Sequence, residues 1–210
     1  KGFKHFMLKE IYEQPDVIRQ SLLGRLADCT QPIQSLESSL AQRLSTINCI
    51  IVVGCGTSYH AGWVGKYFIE QVARIPVELE SAGEFRYRSP ILSPQCLVLA
   101  LSQSGETADT LAAVKQSIEN DATVIAITNR EDSTIARHAH GVLAVRAGLE
   151  VSVCATKSFT AQVMVLYLLG LHLSEQRQML SQPALSLIKE QLQRLPVLVE
   201  RILSHPEPLQ

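Results

Sequence analysis

The run Cys49-Ile50-Ile51-Val52-Val53-Gly54 constrains the fold of this chain more than any other feature of its sequence. It is continuously apolar, rich in β-branched residues and closed by glycine, which is the pattern of a strand buried on both faces. Four more strands are predicted at residues 77–80, 96–101, 123–128 and 141–145, with helical patterns between them. This alternation predicts an α/β protein, a three-layer α-β-α sandwich with a mostly parallel five-stranded sheet and right-handed crossovers.

The rest of the chain divides into parts on either side of this sheet. A helical lead-in is predicted over residues 1–46, with helices at 7–14, 15–25 and 33–44, and Pro15 is expected in the first turn of the second helix. The α/β domain itself is predicted at residues 47–177, and residues 178–210 are predicted to form a C-terminal helix and a linker that is cut midway. Such an ending favours a piece of a longer protein.

The composition argues against several classes of protein. The formal net charge is -1, so no overall positive field would attract nucleic acid or an anionic membrane. No apolar run reaches the roughly 18 residues that span a bilayer, and the first residues lack the pattern of a secretory signal. The five cysteines include no C-x-x-C pair, so we predict neither a zinc site nor a disulfide framework. A reducing cytoplasm fits this cysteine pattern best.

The turn after the first strand is one candidate for ligand binding, because ligands of parallel sheets bind beyond the carboxyl ends of strands. It reads Gly54-Cys55-Gly56-Thr57-Ser58, and its glycines allow a sharp turn into a helix whose free N–H groups attract anions. It also resembles half of a dinucleotide-binding fingerprint, with Glu80 near the expected ribose position, although Tyr59 stands where the third glycine belongs. An anion site, a dinucleotide site and close strand–helix packing all stay open.

The turn Ser102-Gln103-Ser104-Gly105-Glu106-Thr107 is the second candidate, and it offers three hydroxyls, one amide and a glycine directly after a buried strand. Each hydroxyl can donate to a phosphate oxygen, and the N-terminus of the next helix adds partial positive charge. Because the segment contains no Lys or Arg, it predicts a phosphomonoester site made of neutral donors. The Gly-x-x-x-x-Gly-Lys pattern of nucleoside triphosphate sites is missing. Helix capping, which needs one hydroxyl, is the alternative.

Residues 148–157, after the last predicted strand, are the third candidate. Glu150 lies beside an apolar stretch, where a carboxylate could contact a substrate hydroxyl or act as a catalytic acid or base. The alternative is a solvated loop residue or a helix cap. Thr156 is a predicted N-cap, and Lys157 opposes the helix dipole, which suggests an anionic partner nearby. No metal or other cofactor follows from these residues.

Side chains around the first turn carry weaker signals. Cys55 could be a nucleophile, but no base is positioned for it and a packed thiol is favoured. His60, in the first turn of the following helix, favours packing or solvent contact. Tyr59, Trp63 and Tyr67 recur at helical spacing, which predicts that they pack in the core.

Five motifs, taken together, are similar to a known family. Gly-Cys-Gly-Thr-Ser at 54–58, Ser-Gln-Ser-Gly-Glu-Thr at 102–107 and Thr-Lys-Ser-Phe-Thr at 156–160 resemble the sugar isomerase (SIS) domain. Lys-Glu-Ile-Tyr-Glu-Gln-Pro at 9–15 and Glu-Phe-Arg-Tyr-Arg at 84–88 are similar to the first SIS domain of the glutamine–fructose-6-phosphate aminotransferase family. The resemblance covers nearly the whole chain and implies a flavodoxin-like arrangement of the sheet.

The resemblance also implies which residues meet the substrate. Those that would hold the phosphate of a sugar are Ser102, Gln103, Ser104 and Thr107. Those that would contact the ligand from the neighbouring turn, or shape that turn, are Cys55, Gly56, Thr57 and Ser58. Val153 would reach the sugar through its backbone. Ala155 departs from the family, which has a serine there, and this removes one hydroxyl from the expected set.

A function and partners are implied in the same way. Proteins of this family convert fructose 6-phosphate and glutamine to glucosamine 6-phosphate and glutamate, so either hexose phosphate is an expected ligand. A glutaminase domain and a second SIS domain would complete the protein, which would form a homodimer. Because the family's acid/base residues lie largely in the second SIS domain, this chain alone is expected to bind sugar phosphate weakly and not to turn it over.

Two alternatives come from other functional classes. A regulatory phosphosugar sensor would carry a helix-turn-helix and a basic face, and the sequence shows neither. A nucleotide-binding Rossmann-type domain would explain Gly54, Gly56 and Glu80. It leaves the hydroxyls of residues 102–107 unexplained.

Overall fold

The computed structural model describes residues 2–26 and 38–205, and at its centre lies a five-stranded parallel sheet. The strands are β1 (Cys49–Gly54), β2 (Val77–Ser81), β3 (Cys96–Ser102), β4 (Thr123–Thr128) and β5 (Gly141–Ala144). Their order is β2-β1-β3-β4-β5, and each neighbouring pair is parallel. The predicted α/β class and all five predicted strands are therefore confirmed, and the strand order is the flavodoxin-like one.

Helices connect the strands and cover both faces of the sheet. In the described part of the chain they are α1 (Phe6–Tyr12), α2 (Gln14–Leu22), α3 (Ser38–Thr46), α4 (Gly56–Ala73), α5 (Ala82–Phe85), α6 (Ala108–Glu119), α7 (Thr134–His138), α8 (Lys157–Gln176) and α9 (Gln182–Ser204). The sequence pattern did not predict α5 and α7, because helices this short show no periodicity.

The strands bury both of their faces, as their apolar runs predict. Ile50 and Val52 of β1 point into a cluster that includes apolar residues of α2, α4, α8 and α9. Ile51 and Val53 point the other way, into a second cluster with residues of α6 and with Phe85. The alternation follows from the two-residue repeat of a strand. It explains why β1 and β3 contain almost no polar side chain.

The lead-in belongs to the same core as the sheet. Pro15 lies in the first turn of α2, as the sequence predicts, since Pro is tolerated at that position. Val17 and Ile18 of α2 are buried in the cluster that contains β1, α8 and α9. The helix predicted at residues 33–44 appears as α3, and the residues before Ser38 lie outside the described part of the chain. So does the end of the predicted C-terminal linker, at residues 206–210.

The prediction that Tyr59, Trp63 and Tyr67 pack in the core is wrong for Trp63 and Tyr67, whereas Tyr59 is half-buried. Trp63 is 38% exposed and Tyr67 is 63% exposed. Their helix, α4, turns its small and aliphatic residues towards the sheet and α8 instead, and the glycine Gly65 lies on that face. Helical spacing identifies a shared face, but it does not identify which face is buried.

Gly65 allows α4 to pack closely against α8, and a side chain at this position should disturb the packing. A Cβ at this position would lie 2.5 Å from Leu166 Cδ1 and 2.9 Å from Leu166 Cβ. We expect Gly65→Ala to lower the free energy of unfolding by about 1–3 kcal/mol, because overpacking outweighs the gain in helix propensity. Urea unfolding monitored by circular dichroism measures this difference.

Gly83→Ala is the matched control. Its Cβ would meet Asp109 Oδ2 at 3.6 Å and Ser81 Oγ at 3.8 Å, which are ordinary contacts. This variant should unfold at the same urea concentration as the parent chain or a higher one. Equal stability of the two glycine variants would contradict the close packing of α4 on α8.

Candidate functional site

A cavity of about 210 Å³ lies at the carboxyl ends of the strands. Three loops form it: the turn after β1, the turn after β3, and the loop that joins β5 to α8. The residues that line it are Cys55, Thr57, Ser58, Gln103, Ser104, Thr107, Glu150, Ser152, Val153 and Ala155. Most of the residues predicted for the site thus meet in one place. Gly56 and Ser102 do not line the cavity; Gly56 begins α4, and Ser102 is buried at the end of β3.

In the 102–107 turn, the serine hydroxyls accept hydrogen bonds from main-chain N–H groups and do not donate to main-chain carbonyls. Ser102 Oγ accepts a hydrogen bond from the N–H of Gly105 at 3.0 Å and lies 3.0 Å from Thr107 Oγ1. Ser104 Oγ accepts from the N–H of Glu106 at 3.2 Å. A hydroxyl that accepts an N–H keeps its own O–H to donate. Thr107 is the N-cap residue of α6 but makes no side-chain capping bond, so helix capping does not account for its hydroxyl.

Gly105 holds this turn against α7. Its φ is 68°, in the left-handed region, and its carbonyl accepts from the N–H of Ile135 at 3.0 Å. A Cβ here would lie 2.0 Å from Ser133 Oγ, so the site excludes every side chain. Glu106 Oε1 accepts from the N–H of Thr134 at 2.8 Å, and this bond lowers the pKa of Glu106. The glutamate of the motif therefore caps α7 and does not line the cavity.

The turn after β1 adds a second helix N-terminus. α4 begins at Gly56, whose φ is 54°, and its first turn carries Thr57 and Ser58. Ser58 Oγ accepts from Gln162 Nε2 of α8 at 3.0 Å, and both side chains are buried. Sequence reasoning missed Gln162, because it lies inside an apolar helix with no local motif. Cys55 Sγ lies 3.9 Å from Thr110 Oγ1, which agrees with a packed thiol.

Glu150 caps the third helix, α8. Its Oε1 accepts from the N–H of Thr156 at 3.0 Å and of Ser158 at 3.2 Å, and its Oε2 accepts from the Ser158 hydroxyl. The capping alternative for Glu150 is thus observed, and Thr156, the predicted N-cap, makes no side-chain capping bond. Val153 lines the cavity and is fully exposed.

Lys157 does not face the cavity. Its Nζ donates to Glu13 Oε2 at 2.7 Å, and its side chain is buried. The anionic partner that the sequence suggested for Lys157 is therefore a carboxylate of the lead-in. The pKa of Glu13 is lowered, first by this hydrogen bond and then by Lys9, against the opposing effect of burial.

The electrostatics of the cavity come from main-chain dipoles. The first turn of α4, the N-cap residue of α6 and the segment before α8 all border it. The N-termini of α4 and α6 carry partial positive charge, whereas the carboxylate of Glu150 offsets that of α8. No Lys or Arg is among the lining residues, and Glu150 is the charged one. The arrangement can hold an anionic group by hydrogen bonds from neutral donors, and it can hold polar groups next to it.

Two further features bear on what the site can bind. Glu80, the proposed ribose contact, is paired with Arg88 at 2.5 Å, so its carboxylate is already engaged. Within residues 2–26 and 38–205, no group of three or more His, Cys, Asp or Glu side chains could hold a metal ion. None of the helices described there is long and apolar enough to cross a membrane.

Comparison with known proteins places this fold and site in one class. The sequence pattern of the SIS domain matches residues 43–172, and the chain belongs to the SIS domain family. The chain is 45% identical over its whole length to glutamine–fructose-6-phosphate aminotransferase (isomerising) of Clostridium acetobutylicum, and 45% identical over 99% of its length to that of Gloeobacter violaceus. In both cases it spans 34% of the relative. The chain thus spans about a third of the length of these curated relatives.

Solved structures agree with this family. The C-terminal domain of glucosamine-fructose-6-phosphate aminotransferase from Francisella tularensis superposes with a TM-score of 0.91 at 35% identity, over 97% of this chain and 57% of that one. Tagatose-6-phosphate ketose/aldose isomerase from Escherichia coli shares the fold, with a TM-score of 0.71 at 18% identity over 95% of this chain and 54% of that one. Because the chain belongs to the SIS domain family and Glu80 is paired with Arg88, we reject the dinucleotide-binding interpretation of the turn after β1.

The Glu13–Lys157 ion pair predicts a pH-dependent contribution to stability. Because the pKa of Glu13 in the folded chain is lowered from 4.5, its contribution is present above that value and is lost as the pH falls through the folded-state pKa. We expect Glu13→Gln to be less stable than the parent chain at about pH 7 and the two to converge once the pH has fallen below the folded-state pKa of Glu13. Urea unfolding at each pH measures the difference. A difference that does not change with pH would contradict the ion pair.

Proposed function

We propose that this chain is the sugar-phosphate-binding SIS domain in the isomerase half of a glutamine–fructose-6-phosphate aminotransferase, and that its ligand is fructose 6-phosphate or the product glucosamine 6-phosphate. The observation that carries the proposal is the cavity itself, where hydroxyls and three helix N-termini meet and Lys and Arg are absent from the lining. Its volume is below the roughly 300–1,000 Å³ of pockets for drug-sized ligands, which suits a small phosphorylated metabolite. The names of the most similar relatives support the same substrate.

The turn after β3 would hold the phosphate. The proposed donors are the hydroxyls of Ser104 and Thr107 and the amide of Gln103, together with the free N–H groups at the start of α6. Ser102, which is buried, would take part through the hydrogen bond between its hydroxyl and that of Thr107. Neutral donors bind a phosphate without the strong attachment of paired cations, which suits a substrate that must also leave. Gly105, locked against α7, would keep these donors in place before the ligand arrives.

The other two loops would contact the sugar. We propose that Thr57 and Ser58 reach the sugar or its phosphate from the N-terminus of α4, on a turn shaped by Cys55 and Gly56. Val153 would contribute through its backbone. Ala155 lines the cavity without a hydroxyl, so one polar contact expected in this family would be missing here.

Glu150 is the acid/base candidate within this chain. It lines the cavity while it caps α8, and a carboxylate has enough acceptor positions to do both. In this proposal it accepts a hydrogen bond from a sugar hydroxyl or exchanges a proton with the substrate.

The complete reaction needs more than this chain. We propose that residues 47–177 are the sugar-binding unit, with the lead-in before it and the last helix after it. A glutaminase domain would release ammonia from glutamine, and a second SIS domain would supply most of the isomerase acid/base groups in a homodimer. The sequence pattern of the cysteines, which lacks a C-x-x-C pair, is the basis on which we propose a reducing, cytoplasmic location.

Ligand-induced stabilisation tests the binding proposal. Fructose 6-phosphate at about 100 times its dissociation constant should stabilise the chain by about 2.7 kcal/mol, and NAD should not stabilise it. Thr107→Val and Ser104→Ala should each weaken binding by about tenfold or more, because a hydrogen bond to an ionised phosphate is lost. Thermal-shift titration measures both effects. Ser45→Ala, at an exposed hydroxyl of α3, is the control and should bind as the parent does.

An assay of catalysis tests the division of labour. The chain alone, supplied with ammonia and fructose 6-phosphate, is expected to form no glucosamine 6-phosphate above background. Formation of that product by the isolated chain would contradict the proposal that the main acid/base groups lie elsewhere.

A further inference from the structure

Glu10 is a buried carboxylate on a short helix of the lead-in, far in sequence from the cavity. It is 2% exposed, although its helix, α1, otherwise lies at the surface. Its Oε1 accepts from the N–H of Val151 at 2.7 Å and from the N–H of Ser152 at 3.3 Å. These two residues belong to the loop between β5 and α8 that lines the cavity. The lead-in therefore reaches the site through this one side chain.

The charge of Glu10 makes the contact strong. Burial alone would raise the pKa of Glu10, but the hydrogen bonds from residues 151–152 and the positive charge of Lys157 outweigh it, and the pKa is lowered. The carboxylate is thus ionised near neutral pH. Hydrogen bonds from N–H groups to an ionised acceptor are about twice as strong as those between neutral groups.

The loop between β5 and α8 makes few other stabilising contacts with the described part of the chain. The apolar side chains of Leu149, Val151 and Val153 are 82%, 52% and 102% exposed, so packing in the core does not fix them. Two carboxylates anchor the segment instead: Glu150 ties its end to α8, and Glu10 ties its middle to α1. Without Glu10, the backbone of residues 151–153 would have no described anchor between Glu150 and Thr156.

The helix that carries Glu10 is itself fixed to the base of α8. Glu13 pairs with Lys157, and Gln14 Oε1 accepts from Thr160 Oγ1 at 2.6 Å. Glu10, Glu13 and Gln14 all come from the 9–15 motif, and all three contact the segment between residues 151 and 160. The motif therefore acts as a clamp on the sugar-facing loop, although it lies outside the SIS domain match.

We propose that Glu10 is a positioning residue for the sugar: it holds the 151–153 backbone in the place where that backbone meets the hexose. This inference rests on the proposed function of the cavity. Among the described residues, the hydrogen bonds of Glu10 go to residues 151 and 152 and not to the turn after β3, so the two halves of the ligand should depend on it differently. Loss of Glu10 should weaken recognition of the sugar and leave recognition of phosphate unchanged.

Amide hydrogen exchange tests the clamp without any ligand. In Glu10→Ala the N–H groups of Val151 and Ser152 should exchange at least about tenfold faster than in the parent chain, while those of β3 keep their protection. Glu10→Gln keeps an oxygen that can accept and should give an intermediate rate. Asp16→Asn, which changes an exposed carboxylate of α2 paired with Arg19, is the matched control and should change neither. Unchanged exchange at residues 151 and 152 in Glu10→Ala would overturn the inference.

Binding measurements on the same variants test the consequence for the site. Calorimetric titration of the 210-residue chain should give a dissociation constant for fructose 6-phosphate that is about tenfold higher in Glu10→Ala than in the parent chain. The increase should be smaller in Glu10→Gln, and Asp16→Asn should bind fructose 6-phosphate as the parent does. The dissociation constant for inorganic phosphate should be the same in all four proteins. Equal weakening of both ligands would indicate a general loss of structure and overturn the positioning role, and so would no weakening of either.

The two proposals fail in different ways. If the parent chain does not bind fructose 6-phosphate at all, the proposed function is wrong, and the exchange rates still decide whether Glu10 positions the loop. If the parent binds and Glu10→Ala binds equally well, the function stands and the positioning role is wrong. Should Glu10→Ala fail to fold, Glu10→Gln carries both measurements, because it preserves the volume of the side chain.

Discussion

The alignment of three helix N-termini around one edge of a parallel sheet is the constraint on which the rest of this structure depends. Parallel strands must all end on the same side, so the helices that follow β1 and β3 start there, and α8 starts there after the long loop from β5. The unpaired N–H groups at the starts of α4 and α6 can bind an anion without lysine or arginine, whereas the N-terminus of α8 is already capped by the carboxylate of Glu150. The hydroxyls of residues 102–107 add hydrogen-bonding groups at defined positions on this edge.

Much of the chain outside the cavity serves to keep this edge rigid. Gly105 and Glu106 tie the turn after β3 to α7, Ser58 is held by Gln162, and Glu150 caps α8. The loop after β5 is the exception, because its apolar side chains are exposed and only polar contacts hold it. This contrast explains why a buried carboxylate is placed so far away in sequence, on the lead-in.

The sequence predicted the sheet and the three loops that line the cavity because their signals are local. A buried strand reads as an apolar run, and a strand-to-helix turn reads as glycine and hydroxyl residues directly after it, as at Ser102 to Thr107. The role of Glu150 could not be decided from the sequence, since a carboxylate that caps a helix and one that contacts a substrate look alike in sequence. Glu10 and Gln162 could not be found from spacing, because their partners lie more than 100 residues away. The core packing predicted for Trp63 was wrong because periodicity does not show which face of a helix is buried.

A crystal structure of the chain with fructose 6-phosphate tests the central claim most directly. The account predicts the phosphate at the start of α6, within hydrogen-bonding distance of the hydroxyls of Ser104 and Thr107, and the hexose against the backbone of residue 153. A phosphate bound at another edge of the sheet, or a cavity that stays empty at saturating ligand, would contradict it.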